Sequence, residues 1–155
     1  MSVQLNPTFD KKESIQTWQT PYLGKSYTDE DIVTDLGDTS DVEYKYFEDF
    51  NELSGIVANY LNENKVIGWF QGGSEIGPRA LGNRSILANP KSQWMTHYVN
   101  EIKEREWYRP FAPSVLYEKQ SKVFELDTYS PYMLVTSQVK SNWKKKIPAV
   151  THIDG

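Results

Sequence analysis

Cysteine is absent from this 155-residue chain, and its absence removes several kinds of chemistry at once. The chain offers no disulfide, no thiolate ligand for a metal ion and no thiol nucleophile. Histidine is nearly as scarce. His97 and His152 lie far apart without carboxylates at ligand spacing, so the sequence predicts no metal site and a structural role for His97. No Ser-His-Asp set and no pair of carboxylates stands out either.

Long apolar runs are also missing. The chain has no stretch of about eighteen apolar residues, and its N-terminus lacks the basic and apolar segments of a signal peptide. Together with the lack of cysteine, this predicts a cytoplasmic protein with no membrane partner. The formal net charge of −4 disfavours a nucleic acid as partner. Any basic site must therefore be local, and a small anion suits it better than a polymer.

Arginine is rare, but it is concentrated in one stretch between Gly68 and Glu118. This stretch holds every arginine of the chain: Arg79, Arg84, Arg105 and Arg109. It also holds Gly72-Gly73, the Gly77-Pro78 turn and Gly82. Glycine lets backbone N–H groups approach a phosphate, and a guanidinium matches phosphate oxygens two at a time. The pattern indicates an anion site, although it fits neither the Walker A nor the dinucleotide motif. An ordinary loop with arginine stems covering apolar surface is the alternative.

Helical periodicity predicts two main helices after a lead-in. Residues 1–40 are polar and aperiodic, and we interpret them as a linker-like lead-in with one short helix capped by Thr28. Residues 41–155 form the predicted domain. Apolar residues recur every three or four positions in residues 41–64 and again in residues 91–104, so each range predicts an amphipathic helix.

Four short apolar runs predict the strands of an α/β fold. They lie at residues 65–70, 84–88, 111–117 and 132–139, with a short helix at 119–126. We therefore expect a mixed, twisted sheet flanked by helices. The final run, Ala149 to Thr151, is expected to continue into a further strand, so the chain is interpreted as a piece of a longer protein.

Several motifs in order resemble a known family. GSEIGPRALGNRSILANP, KEREWYRPFAPSVL, SPYMLVTSQV and IPAVTHIDG closely resemble the C-terminal domain of NodU/CmcH-type O-carbamoyltransferases, over roughly residues 20–155. The resemblance implies a YrdC-like twisted mixed β-sheet flanked by helices, here incomplete at its C-terminus. It also implies a partner, the N-terminal Kae1-like domain of the full-length enzyme.

The resemblance further implies an activity. In this family the C-terminal domain takes ATP and carbamoyl phosphate, releases pyrophosphate after phosphate is lost, and forms carbamoyl-adenylate. The N-terminal domain then transfers the carbamoyl group to an acceptor hydroxyl. Mg²⁺ is expected to arrive with ATP. The alternative from another class is a non-catalytic nucleotide-binding module, or a YrdC-like module related to RNA modification.

The resemblance assigns roles to residues of the arginine-rich stretch. The implied catalytic ligands of the phosphates and of carbamoyl phosphate are Lys103, Arg109 and Arg79. The implied nucleotide-binding residues are Ser114, a polar contact to the phosphates, and the second-tier candidates Asn83, Arg84 and Ser85. Alternative roles remain open: an exposed helix residue for Lys103, a structural ion pair for Arg84. Arg105 is expected to pair with one of three acids, Glu101, Glu104 or Glu106.

Overall fold

The structure, a computed structural model, describes residues 20–37 and 39–154. The predicted lead-in therefore lies partly outside the described residues, since residues 1–19 are not among them. The elements in chain order are α1 (Asp29–Gly37), α2 (Phe50–Asn62), β1 (Ile67–Phe70), β2 (Arg84–Leu87), α3 (Trp94–Ile102), a 3-10 turn (Tyr117–Lys119), α4 (Gln120–Val123), α5 (Ser141–Lys144) and a 3-10 turn (Pro148–Val150). The mixed α/β composition is confirmed, whereas the YrdC-like arrangement stays a prediction. No helix in the described ranges is long and apolar enough to cross a membrane.

Helix α1 begins where the sequence predicts. The hydroxyl of Thr28 accepts the N–H of Asp31 at 3.1 Å, and the Asp31 carboxylate accepts the N–H of Thr28 at 2.9 Å. This reciprocal pair satisfies two donors at the helix start. The hydrogen bonds with Thr28 also lower the pKa of the Asp31 carboxyl. The bond from the Thr28 backbone has the larger effect, and the bond with the Thr28 side chain adds to it.

Helix α2 is shorter than predicted. It starts at Phe50 because the carboxylate of Asp49 caps it, accepting the N–H of Asn51 at 2.8 Å. The prediction of a start at Ser40 or Asp41 is wrong. Residues 41–49 are not helical, and the apolar side chains that suggested a longer helix are in part exposed there, with Tyr46 at 68%.

Strands β1 and β2 form one antiparallel pair, in which Phe70 lies opposite Arg84. The strands predicted at residues 65–70 and 84–88 are thus confirmed to within two residues. Because the pair is a hairpin, it closes residues 71–83 into a loop. This loop contains Gly72, Gly73, Gly77 and Gly82, so the sheet determines where the glycine-rich part of the arginine-rich stretch lies.

The strands predicted at residues 111–117 and 132–139 are wrong. In the part of the chain that the structure describes, the sheet has two strands, and outside it there is a single isolated bridge. Pro113 has no N–H to give to a ladder, and Met133 has a φ of 54°, which interrupts an extended run. Both apolar runs therefore remain irregular segments, and the predicted mixed sheet flanked by helices is reduced to a two-stranded antiparallel one.

The core is small and centres on α3. Met95 and Val99, one turn apart on this helix, are buried with Ala149 against Val66, Ala88 and Phe111. The helix predicted at residues 91–104 is confirmed as Trp94–Ile102, and the short helix predicted at 119–126 as Gln120–Val123. Burial of α3 fixes the start of the segment that follows it, which carries Lys103, Arg105 and Arg109.

The described part of the lead-in lies along the glycine-containing loop. The N–H of Gly24 donates to the carbonyl of Ser74 at 2.9 Å, and the N–H of Ser74 donates to the carbonyl of Lys25 at 3.1 Å. The Tyr22 hydroxyl reaches the carbonyl of Leu81 at 2.8 Å. The lead-in thus contacts the loop between β1 and β2, which carries Arg79.

Candidate functional site

The loop between β1 and β2 is held by one carboxylate, that of Glu75. Its Oε1 atom accepts three backbone N–H groups: Leu81 at 2.7 Å, Asn83 at 2.9 Å and Arg84 at 3.2 Å. Gly82 lies between these donors with a φ of 110°, a conformation that a residue with Cβ rarely adopts. The chain can therefore turn its N–H groups inward around a single oxygen.

The Glu75 carboxylate is an internal anion. Its partial burial acts to raise its pKa, but the N–H donors of Leu81, Asn83 and Arg84 outweigh burial and lower the pKa to about 2. An inward cluster of backbone N–H groups is the kind of site that binds phosphate. Here the chain's own carboxylate fills it. Glu75 was not among the predicted site residues, although an acid two positions after Gly-Gly in a turn-rich loop was the available signal.

Arg84 is bound by backbone carbonyls. Its four terminal N–H groups face four carbonyl oxygens, those of Gln71 at 2.7 Å, Asn83 at 2.9 Å, Lys25 at 3.0 Å and Gly72 at 3.1 Å. The guanidinium carbon also lies 3.6 Å from the centre of the Phe70 ring. Arg84 therefore joins the lead-in to the loop, and its partners are carbonyls, not the carboxylate of an ion pair.

Asn83 and Ser85 support the same loop. Asn83 is buried; its Nδ2 donates to the carbonyl of Gly73 at 2.8 Å, and its Oδ1 accepts Nε2 of Gln71 at 3.2 Å. The Ser85 hydroxyl accepts the N–H of Gly82 at 3.0 Å. These bonds fix the two ends of the segment that carries Arg79, which projects from the exposed part of the loop.

A second loop, after α3, is held by a buried amide. Asn100 has 0% exposure, and its Nδ2 donates to the carbonyls of Trp107 and Arg109, both at 3.0 Å. Its Oδ1 accepts the N–H of Arg105 Nε, and Nη2 of Arg105 donates to the carbonyl of Pro110 at 3.3 Å. The prediction that Arg105 pairs with an acid is wrong, because its hydrogen-bond partners are the Asn100 amide oxygen and the Pro110 carbonyl. Burial is the main cause that lowers the pKa of Arg105, and the positive charge of Arg109 lowers it further.

The two loops meet at a cleft of about 520 Å³. Its lining includes three cations and two serine hydroxyls from the arginine-rich stretch: Arg79, Lys103, Arg105, Ser85 and Ser114. No aspartate or glutamate is found among the described residues that line it. A local charge of +3 thus occurs on a chain whose formal net charge is −4. Such a cleft attracts anions, because the positive charges add and no carboxylate offsets them.

The structure brings together only part of the predicted set. Arg79, Lys103, Ser85 and Ser114 share the cleft, whereas Arg109, Arg84 and Asn83 lie outside its lining. Arg109 is paired through Nε with the carboxylate of Glu106, and both side chains are about half exposed. This hydrogen bond is the main reason why the pKa of Arg109 is raised and the pKa of Glu106 is lowered. Among the described residues, Arg79 and Lys103 form no ion pair.

The histidines lie apart from each other and serve as packing and polar contacts. His97 stacks on Trp107, with ring centroids 5.4 Å apart and planes inclined by 6°. His152 lies with Nε2 3.2 Å from the carbonyl of Phe111. It lines a second cavity of about 500 Å³, whose lining also contains Glu125 and Asp154 and is therefore less suited to anions.

One family model and three relatives place the chain among known sequences. The family model described as Carbamoyltransferase C-terminus matches residues 58–155. An uncharacterized protein of Synechocystis sp. is 42% identical over 155 residues, which cover 86% of this chain and 25% of that protein. Nodulation protein U of Bradyrhizobium diazoefficiens is 46% identical over 99 residues, with coverages of 64% and 17%. Nodulation protein NolNO of Sinorhizobium fredii is 36% identical over 159 residues, with coverages of 100% and 23%. The chain thus spans a quarter or less of these relatives.

Proposed function

Because this chain belongs to the Carbamoyltransferase C-terminus family, we propose that its cationic cleft binds the phosphate groups of ATP and carbamoyl phosphate. The observation that carries the proposal is the charge of the cleft. Arg79, Lys103 and Arg105 line it, without a carboxylate among the described lining residues. In this proposal the domain forms carbamoyl-adenylate for an O-carbamoyltransferase, with a YrdC-like fold and an N-terminal Kae1-like domain as partner.

The reaction requires such a site on electrostatic grounds. Carbamoyl phosphate first loses its phosphate to water, and a carbamate oxygen then attacks the α-phosphorus of ATP. The new bond joins that oxygen to phosphorus, and the bond to the leaving pyrophosphate breaks. Both reactants are anions, so fixed positive charges must offset their repulsion and align the attack. Mg²⁺ bound to the nucleotide neutralises further charge.

Each side chain of the cleft has a proposed part in this chemistry. Arg79 and Lys103 project from different loops, so together they are suited to hold phosphate groups from two sides. Ser114 adds a hydroxyl donor to the phosphates. Arg105 is held by Asn100, so its charge acts at a fixed place. Arg109, proposed as a further ligand, must first leave Glu106, an exposed pair that costs little to separate.

Titration calorimetry tests the proposal. We expect the chain to bind ATP with Mg²⁺, and carbamoyl phosphate to change that affinity. Lys103→Ala and Arg79→Ala should each weaken binding about tenfold, because each removes a charged hydrogen bond. The control is Lys145→Ala, at an exposed position outside the cleft lining.

Two outcomes separate the hypotheses. A folded chain that binds neither ATP nor tripolyphosphate contradicts the proposal. Binding of ATP by the full-length enzyme without release of pyrophosphate, in the presence of carbamoyl phosphate, supports the non-catalytic nucleotide-binding module instead.

A further inference from the structure

Besides its charged residues, the cleft is lined by aromatic side chains. Tyr117 and Tyr129 line the same cleft as Arg79 and Lys103. Their ring centroids lie 5.2 Å apart, and the rings meet edge to face at 89°. Their exposed fractions are 65% and 66%, so most of each ring remains accessible inside a concave site. Because edge-to-face contact uses only one face of one ring, the remaining faces are free for another planar group.

Backbone contacts hold the two tyrosines in place. Tyr117 starts a 3-10 turn, closed by the N–H of Lys119 donating to the carbonyl of Leu116 at 2.8 Å. Gln120 then reaches forward, with Nε2 donating to the carbonyl of Thr128 at 2.9 Å and to that of Leu126 at 3.2 Å. This amide ties the segment that precedes Tyr129 to the turn that carries Tyr117. The backbone positions of the two tyrosines are thus held relative to each other, which lowers the entropic cost of binding.

A cleft lined by both cations and exposed aromatic faces matches a molecule with a charged end and a flat end. We infer that Tyr117 and Tyr129 form the nucleobase subsite of the cleft, stacking the base while Arg79 and Lys103 hold the phosphates. This inference rests on the proposed function and adds to it the part of the site that distinguishes a nucleotide from a plain polyphosphate. It favours purines over pyrimidines, since a larger base covers more of the rings.

Parallel titrations with two ligands that differ only in the nucleoside test this inference. The chain is titrated with ATP and with tripolyphosphate, each with Mg²⁺. For the wild type we expect ATP to bind about tenfold or more tightly than tripolyphosphate, the usual effect of base stacking on an aromatic residue. Tyr117→Ala and Tyr129→Ala should weaken ATP binding by a similar factor and leave tripolyphosphate binding unchanged.

Two control variants show whether a change in ATP affinity comes from the tyrosine ring, from its hydroxyl group or from the loss of any exposed tyrosine. Tyr129→Phe keeps the stacking surface and should keep the ATP affinity. Tyr46→Ala removes a tyrosine of 68% exposure outside the cleft lining and should change neither affinity. If an alanine variant fails to fold, NMR of the wild type still decides. A stacked base shows nuclear Overhauser contacts between adenine H2 or H8 and tyrosine ring protons.

The outcomes distinguish this inference from the proposed function. If the wild type binds tripolyphosphate and ATP equally well, or the alanine variants keep the full ATP affinity, the nucleobase subsite is overturned while the anion cleft stands. Absence of the adenine–tyrosine contacts in ATP-bound protein has the same meaning. If the wild type binds neither ligand, the proposed function itself fails, and the subsite fails with it.

Discussion

Replacing Glu75 with glutamine should reveal how strongly one carboxylate holds the loop that carries Arg79. Glutamine keeps the shape but removes the charge that accepts the N–H groups of Leu81, Asn83 and Arg84. Folding lowers the pKa of this carboxyl from 4.5 to about 2. At about 1.4 kcal/mol for each pH unit, that difference has a ceiling of about 3 kcal/mol. Since the side chain is partly exposed, solvent screening reduces the expected loss at pH 7 to about 1–2 kcal/mol.

The lowered pKa of Glu75 also predicts how the stability difference between the wild type and Glu75→Gln changes with pH. A carboxyl with a lowered pKa in the folded state stabilises the protein fully above its unfolded pKa, and the effect is lost as pH falls through the folded value. The wild type should therefore exceed Glu75→Gln in free energy of unfolding at pH 7. The difference should shrink between about pH 4.5 and about pH 2.

Urea denaturation at a series of pH values from 7 to 2.5 measures this difference. Glu43→Gln, at an exposed carboxylate, serves as the matched control and should leave the free energy of unfolding nearly unchanged. A Glu75→Gln variant as stable as the wild type at pH 7 refutes the reasoning. So does a stability difference that stays constant down to pH 2.5, because the charge of the carboxylate would then play no part.

Two further predictions concern the loop after α3. Asn100→Ala should lower the free energy of unfolding by about 3 kcal/mol or more, measured by urea denaturation. The change removes a fully buried amide and leaves two carbonyls and the Arg105 side chain without their partner. A loss below about 1 kcal/mol contradicts this. Glu106→Gln should release Arg109 and tighten tripolyphosphate binding about two- to fivefold in calorimetry, and an unchanged affinity removes Arg109 from the proposed ligands.

Local signals in the sequence predicted local structure well. The Thr28 cap and the apolar positions of α3 depend on residues within one or two turns of each other, so the pattern was sufficient. The family suggested by the linked motifs is confirmed by the matching family model. The strands predicted at 111–117 and 132–139 failed because apolar composition does not reveal whether a neighbouring strand is present to pair with.

The candidate site was predicted as a set of residue types but not as an arrangement. The arginine-rich stretch contains both loops that line the cleft, and the structure brings Arg79 and Lys103 to that cleft. The pattern did not reveal that carbonyl oxygens surround Arg84. It also did not reveal the buried Asn100, whose partners are backbone carbonyls. Such roles arise from backbone positions after folding, and the side-chain pattern carries no record of them.

The position of Glu75 bears on the proposed anion binding, because it makes that binding depend on side chains of the cleft. In many phosphate sites the glycine loop itself supplies the N–H donors. Here Glu75 accepts the N–H groups of Leu81, Asn83 and Arg84, so the inner face of this loop is already neutralised. An external anion would therefore have to be held by cationic side chains of the cleft lining, such as Arg79 and Lys103. Since exposed side-chain charges are screened by salt, anion binding at this cleft should weaken steeply as ionic strength rises.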